Sequence, residues 1–380
     1  MTVLLVVLVL GSIVAAGALT MTLVNLGVYR RSRRDAPAAE PIERISVCIP
    51  ARNEEENIEG VVRSLLENDW PDLEVVVYDD ESTDRTPEIL ERLHREDGRV
   101  RVAPRVALPE GWVGKQHACQ QCANHATGAW LLFTDADVRF ERDALRRTID
   151  ATRSLNADMT STFPREVTGT LAEALIVPMI HFILLSYLPM PRMRTTKDPS
   201  ASAGCGQFLF VRREAYKQVG GHGAWRESMH DGIRMPRALR KAGFRTDLFD
   251  GTDLCSCRMY RGWGQTWRGF AKNAFEGLGS VPLLCIITVL HLIGHVLPWI
   301  VFVLWAVGLV PAWLAAPAIL AMIFNLAQRL ILAHRFEQSI VSAVLHPVGV
   351  VLMTLIQWHS LWLHVSGKRS WRGREAAHPA

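Results

Sequence analysis

Gly128-Ala129-Trp130-Leu131-Leu132-Phe133-Thr134-Asp135-Ala136-Asp137 is the stretch that decides the fold. An apolar run of strand length that ends in two carboxylates places both acids at the carboxyl edge of a sheet, where open α/β sheets bind their ligands. Two acids flanking one small residue suit a hard divalent cation, which keeps waters and takes phosphate oxygens. Standing alone, such a pair is also what many strand ends show, because Asp favours turns.

Reading outward strengthens the case. Ile45 to Pro50 reads as a first buried strand, and Asn57 to Asn68 as a helix with apolar spacing through Ile58, Val61, Val62, Leu65 and Leu66. Leu73 to Tyr78 is a second strand, Thr86 to His94 a second helix with Pro87 in its first turn. Val100 to Val102 is a short third strand and Gln116 to Ala126 a third helix. Strands alternating with helices at this pace imply right-handed βαβ units and a mostly parallel, Rossmann-like α/β sheet. Four polar signals then fall at strand ends or a helix entry: Pro50-Ala51-Arg52-Asn53-Glu54-Glu55-Glu56-Asn57, Asp79-Asp80-Glu81-Ser82-Thr83-Asp84, Gly114-Lys115 and Asp135-Ala136-Asp137. A parallel sheet gathers all four along one edge, although each singly is also a plausible cap or turn.

The 380-residue chain is 49% apolar with a formal charge of only +4, a balance that does not point to nucleic acid. Residues 3–28 carry no charge and are long enough to cross a bilayer. Arg30, Arg31, Arg33 and Arg34 follow at once, which by the positive-inside tendency keeps that flank cytoplasmic. A cleaved signal peptide would carry its basic residues ahead of a shorter apolar core. The expectation is a retained anchor (1–29), a linker (30–44) and a cytoplasmic domain (45–279) of a multi-pass protein of the cell (inner) membrane. The seven cysteines agree with a reducing compartment. Cys119-x-x-Cys122 and Cys255-x-Cys257 lack the paired knuckles of a zinc site and read as small buried residues.

Residues 171–191 turn apolar inside that domain, and we expect helices lying in the membrane interface there. Residues 280–366 are almost continuously apolar, divided by Pro298, Pro311 and His334-Arg335-Phe336-Glu337-Gln338, which suggests about three transmembrane helices. Arg329 within them costs about 2.5–3.5 kcal/mol on insertion scales, which the Leu, Ile and Phe around it mostly offset. Three crossings would put the basic tail (367–380) outside. The charge rule wants it inside, which needs an even number of crossings or a re-entrant segment, for example one broken at His346-Pro347.

With these motifs in place, the chain resembles the family-2 glycosyltransferases of the GT-A fold over roughly residues 45–280. The resemblance implies that Pro50, Ala51, Arg52, Glu54 and Asp80 hold the nucleotide, uridine by expectation, with Lys115 and Asp135 near its phosphates. It also implies that Asp135 and Asp137 bind the donor's diphosphate through Mn2+ or Mg2+. A sugar that leaves its electrons on a nucleoside diphosphate builds negative charge, which a cation and a lysine stabilise where it develops. The attacking hydroxyl must lose a proton to a base across the sugar.

Asp231 in Met229-His230-Asp231-Gly232 matches the family's base, after the loop Gly204-Cys205-Gly206-Gln207-Phe208 that borders the sugar pocket in relatives. Most relatives carry Glu where this chain has His230, which alters the charge beside the base. Asp231 also suits the N-cap of a helix over Ile233 to Lys241.

Gln265-x-x-Arg268 fits four places of the motif of processive polysaccharide synthases, but Gly269 replaces its tryptophan. Phe270-Ala271-Lys272-Asn273, Gly111-Trp112-Val113-Gly114-Lys115 and Trp371-Arg372-Gly373-Arg374 instead look like the hopanoid- and carotenoid-associated branch, and more distantly like ceramide glucosyltransferases. Gly206, His230, Gln265, Trp267, Arg268 and Lys272 are thus candidate donor or acceptor contacts, with an interfacial anchor as the alternative for the aromatic and basic stripe. The resemblance implies an inverting, metal-dependent transfer from a nucleotide sugar, a UDP-hexose by expectation, to a membrane lipid. Anchoring suits such an acceptor, which would lose roughly 0.8 kcal/mol per CH2 drawn into water. A processive synthase and a non-catalytic nucleotide-sensing membrane protein compete. The missing tryptophan argues against the first, and the second has no need of Asp231.

Overall fold

The computed structural model describes residues 1–37, 41–371 and 374–375. Residues 38–40 of the linker, and Arg372, Gly373 and 376–380 of the basic tail, lie outside the described residues. The chain divides into two compact units, one made of residues 29–167, 192–258 and 367–380, the other of residues 1–28, 168–191 and 259–366.

The first unit is built on β1 (Ile45–Ala51), β2 (Leu73–Asp79), β3 (Val100–Val102), β4 (Trp130–Phe133), β5 (Val138–Phe140), β6 (Met159–Ser161), β7 (Arg165–Glu166), β8 (Leu209–Arg212), β9 (Thr246–Leu248) and β10 (Cys255–Cys257). Seven of them form one sheet in the order β3-β2-β1-β4-β8-β6-β9, in which β8 alone runs against the rest. β5, β10 and β7 make a second, small sheet. The outcome is an α/β fold with a mostly parallel sheet, as the alternation of elements implied. Every residue of β1 and β2 is buried, which is why both read as unbroken apolar runs rather than alternating ones. Helix Gly114–His125 covers β1 and β2, and its Cys119 and Cys122 sit in the core with Cys48, Tyr78, Leu131 and Phe133. Cys48, Cys119, Cys122, Cys205, Cys255 and Cys257 are all buried free thiols, the bland reading of those clusters.

Register fixes where the strands deliver their loops. Ala51 pairs with Asp79 and Cys48 with Phe133, so β1, β2 and β4 end side by side. Two residues in the loops beyond them, Asn53 (φ 54°) and Glu81 (φ 55°), adopt left-handed backbone that β-carbon-bearing residues avoid. Such strain persists only where the surroundings hold it, and it clusters at functional sites.

In the second unit, four helices are long and apolar enough to cross a membrane: Thr2–Val28, Val281–Ala306, Ala312–Arg335 and His346–Val365. One is N-terminal and three are C-terminal, as expected. Helices Gly262–Ala271 and Ala274–Leu278 pack with the spans, because Trp267 Nε1 donates to His359 Nδ1 (2.9 Å) and the Phe275 amide to Ser360 Oγ (2.9 Å). The 171–191 stretch forms Leu171–Ile176 and Met179–Tyr187, each too short to span. Their side chains are mostly buried among the spans rather than laid on an open face, with Asn25 Nδ2 donating to Leu185 and Leu188 carbonyls.

Directions within this unit follow from a few contacts. Leu8, Val301, Leu314 and Ala318 pack together, and Asn325 Nδ2 donates to the Gly294 carbonyl (3.0 Å). That carbonyl is available because Pro298, four residues on, has no N–H to give it. Ala312–Arg335 therefore runs antiparallel to Val281–Ala306. His346 meets His295 (3.2 Å), and Trp358 Nε1 donates to Thr288 Oγ1 (3.0 Å), so His346–Val365 also runs antiparallel to Val281–Ala306. Two successive helices thus point the same way, joined by a turn that doubles back through Ile340–Val344. The chain enters this bundle near Val281 and leaves it near Ser366 on the same face, a geometry that favours the re-entrant reading of the C-terminal region.

Candidate functional site

The edge of the sheet is laced together before any side chain faces a ligand. Asn53 donates from its amide to Ser82 Oγ (2.9 Å) and accepts at Oδ1 from the Thr83 amide (2.8 Å). The Glu54 amide donates to Thr86 Oγ1 (2.9 Å) and the Glu55 amide to Asp84 Oδ2 (3.0 Å). The β1 and β2 loops thereby form one piece, and the strain at Asn53 is held by its own side-chain bonds. Arg52 donates to the Asp80 carbonyl and lies 3.6 Å from its carboxylate. Glu54, buried, accepts from Asn57 Nδ2 (3.0 Å). Pro50 and Ala51 lie inside β1 itself, and the Ala51 carbonyl accepts from the Asp80 amide (2.8 Å). Any part they play is through the loop they launch, not through their side chains.

Lys115, in the first turn of helix Gly114–His125, reaches across this edge. Its Nζ is 2.8 Å from Asp135 Oδ1 and 3.4 Å from Asp231 Oδ2. Burial alone would push its pKa down, yet the two carboxylates hold it well above the ordinary value. Asp231 is 4% exposed. Burial pushes its carboxyl up, but Lys115, then His230, together with the Gly232 amide, bring it below the ordinary carboxylate range. The N-cap position belongs to His230, and Asp231 opens the helix (Asp231–Lys241), two residues earlier than the periodicity implied. His230 is half-buried, and its amide donates to Ser228 Oγ (3.1 Å).

The loop 204–208 presses against Asp231. A β-carbon at Gly206 would stand 2.5 Å from Asp231 Oδ1, and one at Gly232 would stand 2.4 Å from the Gly204 carbonyl oxygen. Thr134 Oγ1 donates to the Gln207 carbonyl (2.8 Å), Gln207 Nε2 to Cys257 Sγ (2.9 Å), and Ser161 Oγ to the Phe208 carbonyl (2.6 Å). The Asp231 carboxylate thus lies against a loop fixed at three points, and at Gly206 only glycine leaves room for it.

Asp135 and Asp137 occupy the turn between β4 and β5, which Arg139 braces by donating to the carbonyls of Ala136 (3.1 Å) and Val138 (2.9 Å). Two further residues carried no signal in the sequence. Glu166, on the two-residue β7, has both carboxyl oxygens buried without a hydrogen-bond partner, and burial, with the charge of Asp137, pushes its pKa well up. A cation beside Asp137 would satisfy such an orphaned acid, so the residues present fit a divalent metal. Among the described residues no three His, Cys, Asp or Glu side chains close a metal site unaided. That suits a small hard cation completed by phosphate and water. His222 is buried, with Nδ1 2.7 Å from Tyr216 Oη, and burial pushes it down to about 3, so it stays neutral behind Asp231.

The structure brings Arg52, Glu54, Asp80, Lys115, Asp135, Asp137, Gly206, His230 and Asp231 together in the sheet-bearing unit. Gln265, Trp267 and Arg268 lie on helix Gly262–Ala271 of the other unit, with Lys272 as its C-cap. Gln265 Oε1 accepts from the Arg261 amide (2.9 Å) and Trp267 Nε1 is engaged by His359, so these two polar groups already serve the helix packing.

A mostly parallel sheet, a carboxylate pair after its fourth strand and a half-buried ammonium joining that pair to a third acid make up the candidate site. Residues 46–220 match the model of Glycosyl transferase family 2, and the chain is a glycosyltransferase. It is 26% identical over 340 residues to the 4,4'-diaponeurosporenoate glycosyltransferase of Staphylococcus aureus (strain USA300), covering 87% of this chain and 88% of the relative. Its fold is similar to that of a mannosyltransferase from Pyrobaculum calidifontis, solved in complex with GDP-Man and Mn2+. The TM-score is 0.57 at 19% identity, over 95% of this chain and 99% of that one.

Proposed function

We propose that this protein is an inverting, divalent-cation-dependent transferase that moves a sugar from a nucleotide donor, a UDP-hexose, to a membrane lipid. The observation that carries the reading is the half-buried ammonium of Lys115, 2.8 Å from Asp135 and 3.4 Å from Asp231. It links the group that would receive the donor's phosphates to the group that would take the acceptor's proton.

In this reading Arg52, Glu54 and Asp80 hold the nucleotide on the joined β1 and β2 loops. Asp135 and Asp137 would hold Mn2+ or Mg2+, which supplies Lewis-acid charge to the departing diphosphate. Lys115 adds a fixed positive charge in a site where water is scarce, so its effect on developing negative charge is larger than in bulk solvent. Asp231, ionised at neutral pH, accepts the proton of the acceptor hydroxyl as it attacks. Gly206 keeps the carboxylate where the loop meets it, and His230, adjacent in sequence, modulates the charge beside it. Gln265, Trp267, Arg268 and Lys272 are further donor or acceptor contacts in this reading.

A lipid acceptor is supported by the relative that glycosylates 4,4'-diaponeurosporenoate and by the four long apolar helices. Arg30, Arg31, Arg33 and Arg34 after the first span support a cytoplasmic catalytic domain in an inner membrane. The test is transfer of radiolabelled sugar from UDP-glucose and related donors to total membrane lipid, with purified protein in detergent and Mn2+. Label in an extractable lipid, abolished by Asp137→Ala and by Asp231→Asn, is the expected result. Label confined to insoluble polymer would instead assign a processive synthase.

A further inference from the structure

The membrane unit contains a charge that the sugar chemistry does not use. Arg329, on helix Ala312–Arg335, is 0% exposed. Its partners are all neutral: Ser342 Oγ (2.6 Å), Gln338 Oε1 (3.5 Å) and the Pro178 carbonyl (3.5 Å). Its Nε has no hydrogen-bond partner, and among the described residues no carboxylate pairs with it. The acids of this unit are Glu173, Glu276 and Glu337. Glu173 accepts instead from the amides of Gly169 (2.7 Å) and Gly262 (2.7 Å) and from Thr170 Oγ1 (2.8 Å). A buried guanidinium with only dipoles around it is a costly arrangement, because dipoles replace hydration but do not neutralise the charge.

The surroundings of Arg329 add further unmet polar groups. Pro178 and Phe182 are one turn apart on the same short stretch of chain. Pro178 touches Arg329, and Phe182 packs on the rings of His295 (4.9 Å) and His346 (4.8 Å). Those two imidazoles meet at 3.2 Å, and the outer nitrogens, His295 Nε2 and His346 Nδ1, have no partner. Three chain segments converge here: the centre of one span, the start of the last helix and the turn after Arg335. In the turn, Gln338 Nε2 lies 3.2 Å from His181 Nδ1.

We propose that the Arg329 guanidinium, with His295 and His346 beside it, is a binding site for the anionic end of a lipid. The shared chemistry is a carboxylate or phosphate oxygen carried on an apolar chain. A planar guanidinium takes both in a bidentate manner, and a neutral imidazole N–H adds a donor. The site stands on the charge imbalance of this unit alone, independent of which sugar is transferred.

The experiment uses the full-length protein in phosphatidylcholine nanodiscs and follows its melting temperature. The probes are palmitate, hexadecanol (the same chain without the charge) and phosphatidylglycerol. Binding to the folded state raises Tm in proportion to occupancy. Palmitate or phosphatidylglycerol should raise Tm at concentrations about tenfold below those at which hexadecanol acts, the effect of one charge-assisted hydrogen bond. A response to palmitate alone assigns a carboxylate terminus, and a response to phosphatidylglycerol a phosphate headgroup. Arg329→Met should abolish the difference between palmitate and hexadecanol while leaving the Tm rise caused by UDP intact. Equal responses of the wild-type protein to palmitate and hexadecanol, or no response to either anion, overturn the proposal. So does an Arg329→Met protein that still distinguishes the anions. The wild-type comparison decides the matter even where that variant does not fold. Loss of the UDP response in wild-type protein would count against the donor site and leave the lipid site standing.

Discussion

Gly206→Ala separates placement of the base from everything else the fold does. The added methyl carbon would lie 2.5 Å from Asp231 Oδ1, against the 3.4 Å at which ordinary contact begins. Relief requires the carboxylate to retreat by roughly 0.9 Å, because the loop itself is fixed by Thr134, Gln207 and Ser161. Misplacing a catalytic group by about 1 Å costs on the order of 10²-fold in rate, or about 2.7 kcal/mol of transition-state stabilisation. The backbone at 206 is not left-handed, so alanine fits its conformation and shortens the list of unfolded states, worth about 0.4–1 kcal/mol in favour of folding. That gain offsets part of the crowding, and Tm should move by no more than a few degrees. The assay is kcat for lipid glycosylation at saturating donor, beside UDP affinity and Tm. The expected pattern is kcat down on the order of 10²-fold with UDP affinity unchanged. A variant whose kcat stays within about threefold of wild type, at unchanged Tm, would refute the assignment of Asp231 as the base.

Four further outcomes follow from the same geometry. Gly232→Ala, whose methyl would meet the Gly204 carbonyl at 2.4 Å, sets backbone against backbone and should lower stability by about 1–3 kcal/mol, read as a fall in Tm. Asp231→Asn should lower kcat by about 10²–10⁴-fold with UDP affinity retained, measured by calorimetry alongside turnover. Chelation with EDTA should abolish transfer and Mn2+ restore it in the wild-type protein, whereas added Mn2+ should not restore transfer by Asp137→Ala. The pH profile carries a sign. Asp231 lies below its ordinary value of 3.8, so it is ionised, and its contribution to stability is present, above that value and is lost only as pH falls through the lower folded value. The acid limb of kcat/KM should therefore fall below pH 3.8 or be masked by unfolding, leaving a plateau through neutrality. In Lys115→Met, burial is no longer opposed by the ammonium, and the limb should move upward.

Much of this architecture was written in residue pattern. β1, β2 and β4 are buried on both faces, so their apolar runs stood out without help from tertiary context, and the acids that end them marked the edge. Asp231, expected near the Gly204–Phe208 loop, lies against Gly206 of that loop. Glu166 was not legible, because a two-residue strand has no periodicity and its meaning depends on lying beside Asp137 in space. His222 was equally silent, since a buried histidine is defined by Tyr216 and Phe133 around it. The packing of Trp267, in sequence a candidate donor or acceptor contact or an interfacial anchor, was silent because its partner His359 lies far along the chain. Arg329 read as a charge to be tolerated by its leucines; only the assembled helices reveal that its neighbours are all neutral.

The doubled-back turn between Arg335 and His346 also constrains how the protein is made. A translocation channel meets three apolar C-terminal segments in succession, but the finished bundle has the chain departing on the side where it entered. The last helix therefore cannot be laid down as an independent passage across the bilayer. Its first residues become acceptable at depth only after Val281–Ala306 and Met179–Tyr187 offer His295 and Phe182 as neighbours. Biogenesis should end with docking of this segment onto a preassembled surface, and reporters fused to the two chain termini should emerge on opposite sides of the membrane.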